Sequence, residues 1–171
     1  MNLEKTLLAE FSKAQAEKIA KYIGQDASRF KELMESFFSE EYRLTQRAAW
    51  VMSIVVRKHP ELINAYLKKM IDNLEKPVHD AVKRNTVRIL QEIEIPKKLI
   101  GKTADICFSF LANPSEAVAI RAFSMTVLLN IVKQEPELKN ELKIIIEDQM
   151  PYAKAAFLSR GKKTLKALEK I

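Results

Sequence analysis

Apolar residues recur along this chain at the spacing i, i+4, i+7 and i+11, which places them on one face of an α-helix. The spacing occurs four times, in copies that begin at Leu44, Val82, Val118 and Phe157. A small residue fills the second position of each copy: Ala48, Thr86, Ala122 or Gly161. Successive copies start 38, 36 and 39 residues apart. A period of this length is typical of helical repeat arrays, so the pattern predicts an all-α solenoid.

Proline residues mark the helices between these copies. Pro60, Pro96 and Pro136 each precede an apolar-periodic segment, and proline at a first helical position presets the backbone. Each unit is therefore an outer helix, a turn and an inner helix that carries the pattern. We expect one domain over residues 1–171, with an N-terminal capping helix in 1–24 and repeats at about 27–58, 60–94, 96–134 and 136–171. The predicted architecture is a right-handed α-α superhelix of about eight to nine helices.

Two further predictions concern helix ends. The capping helix is expected to run from about Leu3 to Ile23 and to bury Phe11. The segment from Asn113 to Glu116 is interpreted as the capped start of an inner helix, with Asn113 as the N-cap and Glu116 at N3.

The chain resembles the HEAT-repeat (armadillo-like) family over about residues 27–171. Proline-led outer helices with regularly placed leucines carry the resemblance, together with inner helices of the form Val-x-x-x-small-x-x-apolar. The outer-helix residues are Pro60, Leu62, Leu67 and Leu74, then Pro136, Leu138 and Leu142. The resemblance implies a binding surface, usually for proteins and sometimes for nucleic acid. The fragment QRAAWVMSIVVRKHPEL is also faintly similar to the HEAT-like DNA glycosylases that act on alkylated bases.

Charge and composition narrow the function classes. The net charge is +7, and residues 152–171 contribute most of it. The predicted inner helices sum to +8 and the outer helices to −1, so the inner surface is expected to be basic. The single cysteine, Cys107, excludes an internal disulfide, and the sequence contains no apolar run of about 20 residues. We expect a cytoplasmic protein without a membrane segment.

Six cations are candidate ligand-binding residues. Counted from the start of each copy, Arg47, Arg121 and Arg160 share one position at the edge of the apolar face, and Asn85 replaces arginine there in the second copy. Two interpretations stay open for this series: packing between repeats with pairing to Glu or Asp, or contact with an anion in the groove. Packing is favoured, because charged residues are seldom buried unless paired.

The remaining candidates are Arg84 and Arg88 on the second inner helix and Lys163 in the basic C-terminal segment. Asp80, Arg84, Arg88 and Glu92 follow each other at i, i+4, a spacing that predicts pairing along a solvated helix face. Arg84 and Arg88 could also face an acidic partner.

The sequence offers no catalytic centre. His59 and His79 fall at helix starts or turns, no spacing of Cys, His, Asp and Glu suggests a metal site, and Cys107 lies in an apolar stretch. No glycine-rich loop could cradle a phosphate, and Trp50 is interpreted as packing. We therefore expect no enzyme activity, no metal and no cofactor.

The leading functional hypothesis is a non-catalytic scaffold that binds an acidic protein partner on its inner-helix surface. The alternative is a nucleic-acid-binding protein related to the DNA alkylation repair glycosylases, since a basic groove alone suffices to hold phosphates. The sequence carries no information on oligomeric state.

Overall fold

The structure is a computed structural model that describes residues 1–171. It contains ten α-helices and no strand, which confirms the all-α prediction. The count exceeds the expected eight to nine because the predicted N-terminal helix is divided into two. The chain forms two compact units, Met1–Glu92 and Ile93–Ile171. A single domain over 1–171 stays a prediction.

The first unit is organised around one long central helix. Its helices are α1 (Leu3–Ala9), α2 (Lys13–Ile23), α3 (Ala27–Phe37), α4 (Tyr42–Lys58), α5 (Leu67–Asn73) and α6 (Asp80–Leu90), with a 3-10 helix at Pro60–Ile63. The 17-residue helix α4 packs against α1, α2, α3 and α6. Helices α2, α4 and α6 lie side by side, with α4 in the middle.

The second unit repeats this arrangement around another central helix. Its helices are α7 (Lys97–Ala112), α8 (Val118–Val132), α9 (Lys139–Gln149) and α10 (Ala155–Leu168), with 3-10 helices at Pro136–Leu138 and Met150–Tyr152. Helix α8 packs against α7, α9 and α10. Its sequence is apolar around most of its circumference, as expected for a helix covered on several sides.

The single N-terminal helix predicted for Leu3–Ile23 is wrong. The chain leaves the helical conformation at Glu10 and starts α2 after Ser12, whose side chain accepts a hydrogen bond from the Gln15 amide at 3.1 Å. The residues Ser-Lys-Ala-Gln at 12–15 match the capping-box pattern of a helix start. The apolar spacing alone does not reveal this start. The break turns Phe11 outward, so that it is 53% exposed instead of buried.

The predicted helix start at Asn113 is also wrong. Asn113 ends α7, and its side chain accepts from the Ser115 amide at 3.0 Å in a turn. Helix α8 begins four residues later than the prediction, at Val118 after Ala117. Asparagine stabilises such local turns as readily as it caps helices, so the polar cluster marked the connection and not the helix start.

The positions that define the repeat form the core of both units. Thirteen of the sixteen are buried, and Ile93, Val118 and Leu129 are partly exposed. The small residue in the second position has a clear steric reason at Gly161. A Cβ atom there would lie 3.1 Å from Cγ2 of Ile146, so α9 and α10 approach closely at this point.

The two helical glycines of the second unit give a matched stability test. At Gly101, in the interior of α7, a Cβ atom would have no other atom within 4 Å, so Gly101→Ala should stabilise the protein by about 0.5–1 kcal/mol through helix propensity. At Gly161 the same gain is offset by crowding against Ile146, and we expect Gly161→Ala to give no net stabilisation. Urea denaturation followed by circular dichroism measures both. Equal stabilisation by the two variants would contradict close packing at Gly161.

Candidate functional site

The six candidate cations are divided between the two units. Arg47, Arg84 and Arg88 belong to Met1–Glu92, whereas Arg121, Arg160 and Lys163 belong to Ile93–Ile171. They differ mainly in their contacts: some donate hydrogen bonds to other groups of the protein, and others have no partner there. None of them has a ligand-binding role that follows from the fold alone.

Arg47 is used to hold α1 and α4 together. Its Nη1 atom donates to the carbonyl oxygen of Leu7 at 2.8 Å, and its guanidinium lies 5.6 Å from the centre of the Phe11 ring. Leu7 is in the last turn of α1, where carbonyl groups lack partners within the helix. Arg47 therefore caps α1 from 40 residues away and holds Phe11 in place.

Arg121 has the corresponding task in the second unit. It is only 8% exposed, and its Nε atom donates to the carbonyl oxygen of Leu111, in the last turn of α7, at 3.3 Å. Its Nη2 atom donates to Gln149, and its guanidinium lies 4.4 Å from the centre of the Phe157 ring. Burial lowers the pKa of Arg121 because the charged form loses hydration. The sequence predicted that the arginines of this series pair with Glu or Asp. Instead, Arg47 donates to a backbone carbonyl, and Arg121 donates to a backbone carbonyl and to the amide oxygen of Gln149.

The last two candidates of the second unit differ from each other. Arg160 is partly buried, and its Nη1 atom donates to the Thr126 hydroxyl on α8. Lys163 is exposed on α10. Of the three candidates in this unit, only Lys163 presents its charge fully to solvent.

Arg84 and Arg88 lie one turn apart on α6 and have no ion-pair or hydrogen-bond partner in the protein. The predicted pairing of Arg88 with Glu92 is wrong. Glu92 pairs with Arg57 of α4 at 3.6 Å instead. The two guanidinium groups line a cleft of about 300 Å³ between α4 and α6. No acidic residue lines this cleft; its other members are Phe11, Gln46, Trp50, Ala81 and Asn85.

The cleft lies where the arginine series is interrupted. Asn85 occupies the position that Arg47 and Arg121 hold in other copies, and its Nδ2 atom donates to the Ala81 carbonyl of its own helix at 2.8 Å. Asparagine is several bonds shorter than arginine, so it cannot reach across to a neighbouring helix end as Arg47 does. The groove between α4 and α6 therefore stays open at this point.

Two aromatic side chains form the far wall of the cleft. The Phe11 and Trp50 rings are 5.3 Å apart and inclined at 72°, an edge-to-face contact. Phe11 is exposed because of the break between α1 and α2, and Trp50 is partly buried. Sequence reasoning missed Phe11 as a surface residue and assigned Trp50 to packing. The signal for Phe11 was the capping-box pattern at residues 12–15.

A second, wider cleft of about 810 Å³ adjoins the first and shares Trp50 and Arg88 with it. Most of its charged lining residues are basic: Lys13, Lys21, Arg57, Lys58 and Arg88, against Glu17. Lys13 and Glu17 form an exposed ion pair at 3.7 Å. The surface formed by α2, α4 and α6, here called the α2-α4-α6 face, is therefore predominantly basic where the two clefts open.

Cys107 and His79 are engaged in the fold. Cys107 is fully buried, and burial raises the pKa of its thiol to about 12, with the Ser124 hydroxyl lowering it by a smaller amount. A thiol with this pKa is almost entirely protonated at pH 7 and is a poor nucleophile. The Nδ1 atom of His79 accepts from the Ala81 amide at 3.1 Å and so caps α6. No group of three His, Cys, Asp or Glu side chains is placed to hold a metal ion.

Comparison with known proteins identifies one relationship. The sequence profile of a family described as HEAT repeat domain matches residues 3–168, which is nearly the whole chain. No curated protein and no solved structure matches the chain. None of the helices combines the length and the apolar character that crossing a membrane requires.

The division of the arginines predicts unequal effects of the same substitution on the free energy of unfolding. Arg121→Met removes hydrogen bonds to a buried carbonyl and to Gln149, and we expect it to lower the free energy of unfolding by about 1–3 kcal/mol. Arg84→Met removes an exposed cation without a partner and should change it by less than about 0.5 kcal/mol. Equilibrium urea denaturation of both variants tests this. An unchanged free energy of unfolding in the Arg121→Met protein would show that the hydrogen bonds of Arg121 do not stabilise the fold.

Proposed function

The chain belongs to the HEAT repeat domain family, a family of helical repeats that commonly mediates protein interactions, and we propose that it is a non-catalytic scaffold for an acidic protein partner. The partner binds the inner helices of the first unit, on the α2-α4-α6 face. Arg84 and Arg88 make the contacts to its carboxylate groups, and Phe11 and Trp50 supply apolar surface beside them.

One observation carries this proposal: two neighbouring guanidinium groups without partners line a cleft that has no acidic residue. Arginines elsewhere in the same series are engaged by the fold, as at Arg47 and Arg121. Arg84 and Arg88 contribute nothing comparable to the fold, and two like charges one turn apart repel each other. An acidic ligand relieves this repulsion and supplies bidentate acceptors that match the guanidinium geometry.

The other candidates have supporting parts. Arg47 acts as a positioning residue, because it holds Phe11 at the edge of the cleft. Lys163 and the basic residues around it on α10 contribute to the long-range attraction of an acidic partner, an effect that requires no direct contact. Arg121 and Arg160 are not proposed as ligand contacts, since both donate to groups of the protein itself.

Nucleic acid is the second candidate ligand for the same face. Exposed aromatic rings beside arginines are the elements with which proteins bind single strands, by stacking on bases and by contact with phosphates. Phe11 and Trp50 next to Arg88 fit this description. The two candidates make different predictions for polyanions that carry phosphates and polyanions that carry carboxylates.

The test compares three fluorescein-labelled probes by anisotropy at several salt concentrations: poly-L-glutamate, a single-stranded 20-mer and a duplex 20-mer of DNA. We expect saturable, salt-dependent binding of poly-L-glutamate that falls at least about tenfold in the Arg84→Glu, Arg88→Glu variant, because two favourable contacts become repulsive. The matched control is Lys97→Glu, Lys98→Glu, which makes the same change of charge at two exposed residues of α7.

The outcomes are distinct. A much smaller effect of the α7 control supports a localised site on α6, whereas equal effects of the two variants would point to net charge alone. Tighter binding of either DNA at equal salt, lost in the Arg84→Glu, Arg88→Glu variant, would favour the nucleic-acid candidate. Absence of binding by all three probes at low salt would contradict both.

A further inference from the structure

We propose that the cleft between α4 and α6 recognises an extended peptide segment in which an apolar, preferably aromatic, residue lies between two acidic ones. This inference rests on the proposed function and specifies the chemistry of the ligand. It names a linear motif, acidic-apolar-acidic, as the preferred occupant over a uniform polyanion.

The lining of the cleft offers hydrogen-bond acceptors, which peptide N–H groups can use and phosphodiester oxygens cannot. The Nδ2 atom of Asn85 is bound to the Ala81 carbonyl, which leaves Oδ1 without a partner although the residue is only 5% exposed. Gln46, which is partly buried on the opposite helix, has no partner either. Peptide N–H groups are donors for these oxygens, and the peptide carbonyl is an acceptor for the Gln46 amide. Phosphodiester oxygens only accept hydrogen bonds.

The spacing along α6 matches an extended chain. Residues one helical turn apart, such as Arg84 and Arg88, have Cβ atoms about 6 Å apart. In an extended peptide, side chains two residues apart lie on the same side at a distance of about 6.6 Å. Acidic residues at positions i and i+2 can therefore meet the two guanidinium groups at once.

The residue between the two acids points to the other wall of the groove, because side chains alternate along an extended chain. That wall carries Phe11 and Trp50, in edge-to-face contact. An apolar side chain inserted there covers ring surface that is otherwise exposed to water, which is favourable in proportion to the area removed from solvent. The cleft volume of about 300 Å³ is at the small end for ligand pockets and fits one anchored residue with its peptide groups.

The protein carries its own reporter for this site. Trp50 is the only tryptophan in the sequence and lines the cleft, so its emission reports whether the cleft is occupied. The experiment titrates the full chain with seven-residue capped peptides of identical composition, one with the core Glu-Phe-Glu and one with the core Glu-Glu-Phe. A third peptide with the core Glu-Ala-Glu removes the anchor, and a tetrathymidylate probes the phosphate alternative. Anisotropy of labelled copies of the peptides measures binding independently of any change in Trp50 emission.

We expect the Glu-Phe-Glu peptide to bind at least about fivefold more tightly than its isomer and about tenfold more tightly than the Glu-Ala-Glu peptide, differences that correspond to about 1 and 1.4 kcal/mol. Gln46→Ala should weaken the Glu-Phe-Glu peptide severalfold. The matched control is Gln25→Ala, which removes the same side chain from an exposed position outside the cleft and should have no effect.

Failure of this inference can be separated from failure of the proposed function. Equal affinities for the two isomers, both lost in the Arg84→Glu, Arg88→Glu variant, would overturn the motif and leave acidic binding intact. Tighter binding of tetrathymidylate than of every peptide would also overturn it. No saturable binding of the Glu-Phe-Glu peptide at millimolar concentration overturns it as well, and poly-L-glutamate then decides separately whether the α2-α4-α6 face binds acidic chains.

Discussion

The capping of carbonyl groups at buried helix C-termini is the constraint on which both units depend. Helices that end against a neighbouring helix leave carbonyl groups without intrahelical partners, and a buried carbonyl without a partner is costly. In the first unit, Gln15 donates to the Thr6 carbonyl at 2.9 Å while Arg47 donates to that of Leu7. In the second unit, Arg121 and Gln149 both donate to the carbonyl of Leu111, the latter at 3.1 Å.

The two capping clusters contain the same two kinds of side chain, although glutamine precedes arginine along the chain in the first unit and follows it in the second. Each joins a glutamine amide to an arginine guanidinium and connects three helices: α1, α2 and α4 in one unit, α7, α8 and α9 in the other. Guanidinium and amide groups suit this task because they offer several donors in a plane. The arginine stem also packs against apolar neighbours, so that a charged residue is accommodated at the edge of a core.

The candidate site follows from the one interruption of this scheme. Asn85 stands where the series would place another arginine, and its amide turns back to its own helix. The space that an arginine would fill remains as a cleft, and the neighbouring Arg84 and Arg88 keep their charges available. The same residue position thus stabilises a helix end in one copy and borders a cleft in another, because the length of its side chain differs.

The sequence alone predicted most of the fold and only part of the site. The period of apolar residues located α4, α6 and α10 within a few residues, because burial imposes it directly. It failed at Phe11, where the chain breaks between α1 and α2. The error at Asn113 came from a polar capping pattern instead, since the apolar copy that begins at Val118 coincides with the start of α8. The acceptors of Arg47 and Arg121 could not be predicted from the sequence. Leu7 lies 40 residues from Arg47, and no sequence pattern identifies a single carbonyl at that separation.

The most direct test of this account is a ¹H–¹⁵N spectrum of the arginine Nε–H groups, recorded while the Glu-Phe-Glu peptide is added. If Arg121 is held by the fold while Arg84 and Arg88 are available to a ligand, the Nε–H proton of Arg121 exchanges slowly with water, since this group is buried against Leu111. Its resonance then keeps its chemical shift as the peptide is added. Arg84 and Arg88 give resonances that exchange rapidly and shift as the cleft fills. Movement of Arg121 with no change at Arg84 and Arg88 would contradict the division and place the binding surface elsewhere.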